Sequence, residues 1–146
     1  METDALQTSW NGTGRFIEAR WVRAPQKRDL LAGLARLEKV VQQQQATLVL
    51  EHVEDWEAQL HEHGRWLAAN WVPHLANVGV RRLAVVMSKA TFSKLSLKQS
   101  VVRDPERSFV RHCFSDEASA LRWFERQQDL LSAGVSSSRF RALAHP

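Results

Sequence analysis

Thr47-Leu48-Val49-Leu50 and Arg82-Leu83-Ala84-Val85-Val86-Met87 decide the fold. Both are short, almost wholly apolar runs, the pattern of strands covered on both faces. Between them, Trp56 to Asn77 carries Trp66, Leu67, Trp71, Val72, Pro73 and Leu75. Leu60, Leu67 and Trp71 keep a helical spacing, so the stretch reads as a helix. A helix joining two such strands forms a right-handed crossover and sets them parallel. Pro73 does not suit a helix interior and predicts a kink or restart. Gly79 is placed to end the helix in the left-handed conformation. Glu51-His52-Val53-Glu54-Asp55 reads as a polar turn at the carboxyl end of the first strand, where open α/β sheets tend to bind ligands.

Upstream, Leu6, Thr8 and Trp10 alternate with Gln7 and Ser9, and Ile17, Ala19 and Trp21 with Glu18 and Arg20. Asn11-Gly12-Thr13-Gly14 lies between them, a hairpin signal. Pro25 is suited to the first turn of a helix, whose apolar stripe is Leu30, Leu34, Leu37 and Val41. Gly33 costs that helix about 1 kcal/mol relative to Ala and predicts a close approach to the sheet. Downstream, Phe92, Leu95 and Gln99 give a short helix with a basic outer face. Val101 to Arg107 reads as loop and Phe109 to Phe114 as the last strand. Ser115 is placed to cap a final helix that buries Ala120, Leu121 and Phe124 and runs to about Leu131. The expected architecture is a single α/β domain over residues 1–131. It has one mixed sheet of about five strands, with an antiparallel amino-terminal hairpin and a parallel core, packed with helices. Residues 132–146, with Gly134-Val135-Ser136-Ser137-Ser138, are expected to form a flexible tail.

A chain of 146 residues suits one domain with one core. Its 44% hydrophobic and 25% charged residues are ordinary for a soluble protein. No apolar run approaches the roughly 18–20 residues of a membrane span. Met1-Glu2-Thr3-Asp4 begins no apolar leader, so no secretory signal is expected. Cys113 is the single cysteine, which excludes an intrachain disulfide and fits a reducing, cytoplasmic location. The net charge of +4 is unevenly placed. Arg81, Arg82, Lys89, Lys94, Lys98, Arg103, Arg107 and Arg111 face only Asp104 and Glu106 across residues 80–111. Such a region either attracts anions or is a solvated face.

Candidate chemistry is sparse. His52, His61, His63 and His74 lie near Glu51, Glu54 and Glu62, but His61 and His63 point about 200° apart on a helix and cannot share one ion. His112 and Cys113 are neighbours on a strand and point to opposite faces, which argues against a thiol–imidazole pair. There is no HExxH, CxxC, GxSxG, Walker A or GxGxxG sequence. No metal or other cofactor is expected, and the chain reads as a protein other than an enzyme. The six tryptophans are its obvious large anchors. Most serve a core; Trp56, Trp66 and Trp71 are the candidates to line an apolar groove or a dimer seam.

Four pieces of the sequence resemble the SpoIIAA-like, or STAS/SEC14-like, family of small bacterial α/β domains. They are Thr47-Leu48-Val49-Leu50-Glu51; Trp66-Leu67 with Trp71-Val72-Pro73-His74-Leu75 and Gly79; Arg82-Leu83-Ala84-Val85-Val86; and Phe114-Ser115-Asp116-Glu117-Ala118 with Ala120, Trp123 and Phe124. The resemblance implies partner binding or ligand sensing without cofactor chemistry. STAS-type members are switched by phosphorylation of a serine in an Asp-Ser-x-Gly-like turn. Here that neighbourhood is Glu54-Asp55-Trp56-Glu57, so no phosphoserine switch is expected. The expected function is a non-enzymatic protein-interaction or ligand-sensing domain, with a homodimer as one arrangement. The alternative, from the SEC14 side of the resemblance, is a binder of a hydrophobic small molecule or lipid. Its pocket would be entered near Phe92 and Leu95, with Lys89, Lys94, Lys98 and Arg103 toward anionic headgroups. Nucleic acid is not expected, because the basic region offers only Phe92 and Phe109 for stacking.

Overall fold

In a computed structural model, residues 5–23, 25–53 and 67–144 are described, the side chains at 67–68 and beyond 130 excepted. Six strands form one sheet: β1 (Leu6–Asn11), β2 (Phe16–Trp21), β3 (Leu48–His52), β4 (Arg82–Val86), β5 (Val101–Asp104) and β6 (Phe109–Phe114). Their spatial order is β1-β2-β3-β4-β6-β5. The neighbours β2, β3, β4 and β6 are mutually parallel, while β1 and β5 close the two edges antiparallel. The mixed sheet with a hairpin edge and a parallel core is as the sequence predicts. The additional strand is β5, in a stretch that reads as loop. Its four residues pair with β6 from Val101↔His112 to Asp104↔Phe109, and tertiary pairing supplies what local alternation does not.

The helices divide between the two faces. From α1 (Lys27–Gln44), Leu30, Leu34, Leu37 and Val41 join Trp71 and Leu75 in one core with Ile17, Ala19, Trp21, Val49, Leu83, Val85, Phe109 and Cys113. Strands that step in one direction across a sheet need crossovers on one face, because the hand of the connection is fixed. The opposite face holds a smaller core of Phe16, Leu48, Leu50, Ala84, Val86 and Phe114, roofed by Ala120, Trp123 and Phe124 of the last helix. Alternation along β3 explains the division: Leu48 and Leu50 face one way, Val49 the other.

Several local signals act as expected. A π-helical turn (Leu67–Trp71) precedes α2 (Val72–Asn77), and Pro73 sits in the first turn of α2. The chain thus passes from π- to α-helical winding next to a proline that cannot donate, and residues 56–66 of the expected crossover helix lie outside the described residues. Gly79 has φ +112°. Residues 88–100 form two helices, α3 (Lys89–Ser93) and α4 (Leu97–Ser100), each opened by a serine. Ser88 Oγ accepts from Thr91 N at 3.1 Å, and Ser96 Oγ from Gln99 N at 3.2 Å. Two capping details differ. Pro25 stands before Gln26, the N-cap of α1, and so lies outside the first turn. Asp116, next to Ser115, caps α5 (Glu117–Ala144), accepting from Ser119 N at 2.7 Å. A carboxylate is the stronger acceptor for amides at a helix start. The helix continues past Leu131, where its apolar periodicity ends.

Gly33 is where α1 meets the sheet most closely. A Cβ built there would stand 2.9 Å from Trp21 Cη2 and 3.3 Å from Leu6 Cδ2. Trp21 is a rigid ring, packed on Trp71 with ring centroids 5.7 Å apart, and cannot yield as a flexible chain end would. Gly33→Ala therefore adds about 1 kcal/mol of helix propensity but suffers overpacking of about 1–3 kcal/mol. The expected result in urea unfolding is a lower midpoint with an unchanged slope. A higher midpoint would show that the contact relaxes freely.

Candidate functional site

Of the stretch that reads as a polar turn, Glu51 to Asp55, Glu51 and His52 are instead the covered end of β3, while Glu54 and Asp55 lie outside the described residues. Glu51 pairs in register with Ala19 and Val85, and His52 with Arg20 and Val86. Each side chain is only 3% exposed. Backbone pairing on both sides carries the strand through two ionisable residues, which point to opposite faces. In an open α/β sheet this carboxyl end is where ligands gather.

Glu51 enters the larger core. Trp21 Nε1 donates to its Oε2 at 2.8 Å. Burial pushes its carboxyl from 4.5 up to about 7; the Trp21 hydrogen bond, the Arg111 charge and the Trp71 indole oppose that rise. The Trp71 indole N–H favours the charged form but stays outside hydrogen-bonding geometry, and it is buried without a hydrogen-bond partner among the described residues. Arg111 reaches over the same face from β6 and donates Nη2 to Gln99 O at 2.6 Å. Cys113 lies in this core, its thiol raised by burial. Its neighbour His112 is on the other face, stacked on Phe114 with centroids 4.3 Å apart, so the two side chains form no pair.

His52 enters the opposite face. Its Nε2 lies 3.4 Å from Glu18 Oε1 of β2 and 3.4 Å from Glu117 Oε1, the first residue of α5. Strand alternation hides this cluster from a local reading, since its members come from three distant elements. The available signal was parity: if β3 extends to residue 52, His52 shares a face with Glu18 and Arg20. His74, by contrast, pairs on the surface with Glu38 through Nδ1 at 2.7 Å.

The basic residues divide by position. Arg81 Nη1 donates to Ala76 O and Val80 O, and Arg82 to Arg81 O, Ser108 O and Gln127 Oε1. Arg107 holds Asn77 and Asp104. These arginines clamp carbonyls and helix ends at the amino edge of the parallel strands. Lys89, Lys94 and Lys98 occupy the segment of α3 and α4, with exposed side chains. There Phe92 and Leu95 are half-buried against the large core, while Leu97, between Lys94 and Lys98 along the segment, is 82% exposed. Of the tryptophans proposed to line a groove, Trp71 is 2% exposed and belongs to the core. Trp56 and Trp66 lie outside the described residues. Among the described residues no helix is long and apolar enough to cross a membrane. Comparison with family models, curated proteins and solved structures gives no match to this chain.

The raised Glu51 value fixes a sign. Between pH 4.5 and about 7 the folded chain holds a proton that the unfolded chain has released, so stability falls as pH rises through that window and is regained on acidification. At about 1.4 kcal/mol per unit, the ionised carboxyl costs the fold on the order of 3 kcal/mol above the window. Glu51→Gln keeps an acceptor for Trp21 without the charge. In denaturant unfolding it is expected to be more stable than wild type by roughly 1–3 kcal/mol at pH 8, with the difference shrinking toward pH 5. A difference independent of pH would remove Glu51 as the titrating group.

Proposed function

We propose that this chain is a non-enzymatic, cytoplasmic protein-interaction domain of the STAS/SpoIIAA-like kind, working without a phosphoserine switch. Its docking element is the segment of α3 and α4. The observation that carries this reading is Leu97, a large apolar side chain 82% exposed in a stretch bearing Lys89, Lys94 and Lys98. Exposed leucines scattered singly are common. This one stands on a segment that two serine caps and the Arg111–Gln99 hydrogen bond hold in place. An apolar side chain exposed on a segment that also carries three exposed lysines suits an acidic partner with an apolar notch: the charges steer the encounter and the leucine gives the buried contact. The resemblance in sequence supports a binding role, and the lone buried thiol supports a reducing compartment.

The same segment favours a second reading. Phe92 and Leu95 lie half-buried near Leu97, and each lysine near an anionic membrane surface contributes about 1 kcal/mol. A lipid or other hydrophobic ligand with an anionic head would use the same side chains.

Two measurements separate the readings. Wild type, Leu97→Ser and the double variant Lys94→Glu/Lys98→Glu are each immobilised and exposed to a cell extract, with circular dichroism and melting temperature confirming the fold. Under the interaction reading one protein is retained in stoichiometric amount by wild type and lost from both variants. Equal retention by all three defeats it. Sedimentation with phosphatidylserine vesicles, set against neutral phosphatidylcholine vesicles, tests the second reading. Binding to the anionic vesicles alone, abolished by both variants, would establish it in place of the first.

A further inference from the structure

Glu18, His52 and Glu117 converge from β2, β3 and the start of α5. One ligand atom from each lies within 4.8 Å of the others, and His52 Nε2 stands 3.4 Å from both Glu18 Oε1 and Glu117 Oε1. Zinc holds nitrogen and oxygen ligands at about 2.0–2.1 Å in a tetrahedron, whose edges are then about 3.3–3.4 Å. Both histidine–carboxylate separations already equal that edge. Calcium and magnesium take all-oxygen ligands and discriminate against an imidazole, whereas zinc, nickel and copper accept it. Two carboxylates with a neutral imidazole balance a divalent ion.

We propose that Glu18, His52 and Glu117 supply three ligands to one divalent transition-metal ion of the zinc class. The ring of His52 is fixed by burial at the end of β3, so it is the pre-set ligand. Glu117 is 49% exposed at its side chain and closes the third edge by a side-chain rotation. Arg20 Nη2 lies 3.2 Å from Glu18 Oε1, the oxygen that faces His52. That guanidinium is 46% exposed and swings into solvent when the ion takes its place. Binding would tie the amino end of α5 to β2 and β3, so the ion acts as a clamp between the last helix and the sheet. The site stands at the carboxyl edge of the strands and draws on none of the residues of the α3–α4 segment.

The full chain, freed of metal with a chelator, is titrated with zinc by calorimetry and its melting temperature followed. One ion per chain is expected, bound in the micromolar range or tighter, with a melting temperature that rises with zinc. Glu18→Gln replaces a half-buried carboxylate and Glu117→Gln an exposed one; with circular dichroism confirming the fold of each, both are expected to weaken binding by more than ~10-fold. His74→Gln, at the surface pair with Glu38, is expected to bind as wild type does. Cobalt substituted for zinc should give the strong visible absorption of tetrahedral coordination, lost in Glu117→Gln. Absence of binding, binding that survives both glutamate substitutions, binding lost in His74→Gln, or a weak six-coordinate cobalt spectrum would each overturn the proposal.

Discussion

The constraint on which this structure depends is that β3 is covered on both faces along its whole length. All five of its residues, Leu48 to His52, are buried. A strand in that position needs helices above and below the sheet, and the chain supplies α1 and α2 on one side and α5 on the other. It also needs its backbone groups paired on both edges, which β2 and β4 provide. Once those pairings exist, whatever side chains residues 51 and 52 carry are taken inside with them.

Polarity is therefore sorted along the strand direction. The amino edge of the parallel strands is held by arginines, with Arg81, Arg82 and Arg107 satisfying carbonyls and side-chain oxygens around Ala76, Ser108 and Asn77. The carboxyl edge gathers Glu18, Glu51, His52 and Glu117. Much of the basic excess that looks like an anion-binding surface in the sequence is thus internal architecture. The lysines of the α3 and α4 segment are exposed instead, and Leu97 in the same segment is 82% exposed.

The sequence made the fold legible where pattern and burial coincide. Apolar runs at 48–50 and 82–87, strict alternation at 17–21, and a stripe at Leu30, Leu34, Leu37 and Val41 each have one reading, and each element forms where that reading puts it. Legibility failed where a neighbour in space outranks a neighbour in sequence. Val101 to Asp104 becomes a strand because β6 offers a free edge, and no alternation of its own announces it. Glu51 and His52 look like a turn because charge usually marks the surface, and only the strands on either side reveal otherwise. The cluster of Glu18, His52 and Glu117 spans most of the chain, so it had no local signature. Leu97 was not singled out in the sequence, because nothing local distinguishes an exposed leucine from Phe92 and Leu95, which pack against the core.

Adjacent side chains on a strand look in opposite directions, so Glu51 meets the indole of Trp21 while His52 meets two carboxylates. Sliding β3 by a single position would send the acid toward Glu18 and Glu117, three negative groups together, and press the imidazole among Trp21, Val85 and Cys113. Either mismatch would be severe away from water. The leucines and valines of this strand are nearly interchangeable and would tolerate such a shift. It is the two uncomfortable residues that tell the chain which way up its middle strand belongs, and they guard the fold against misthreading.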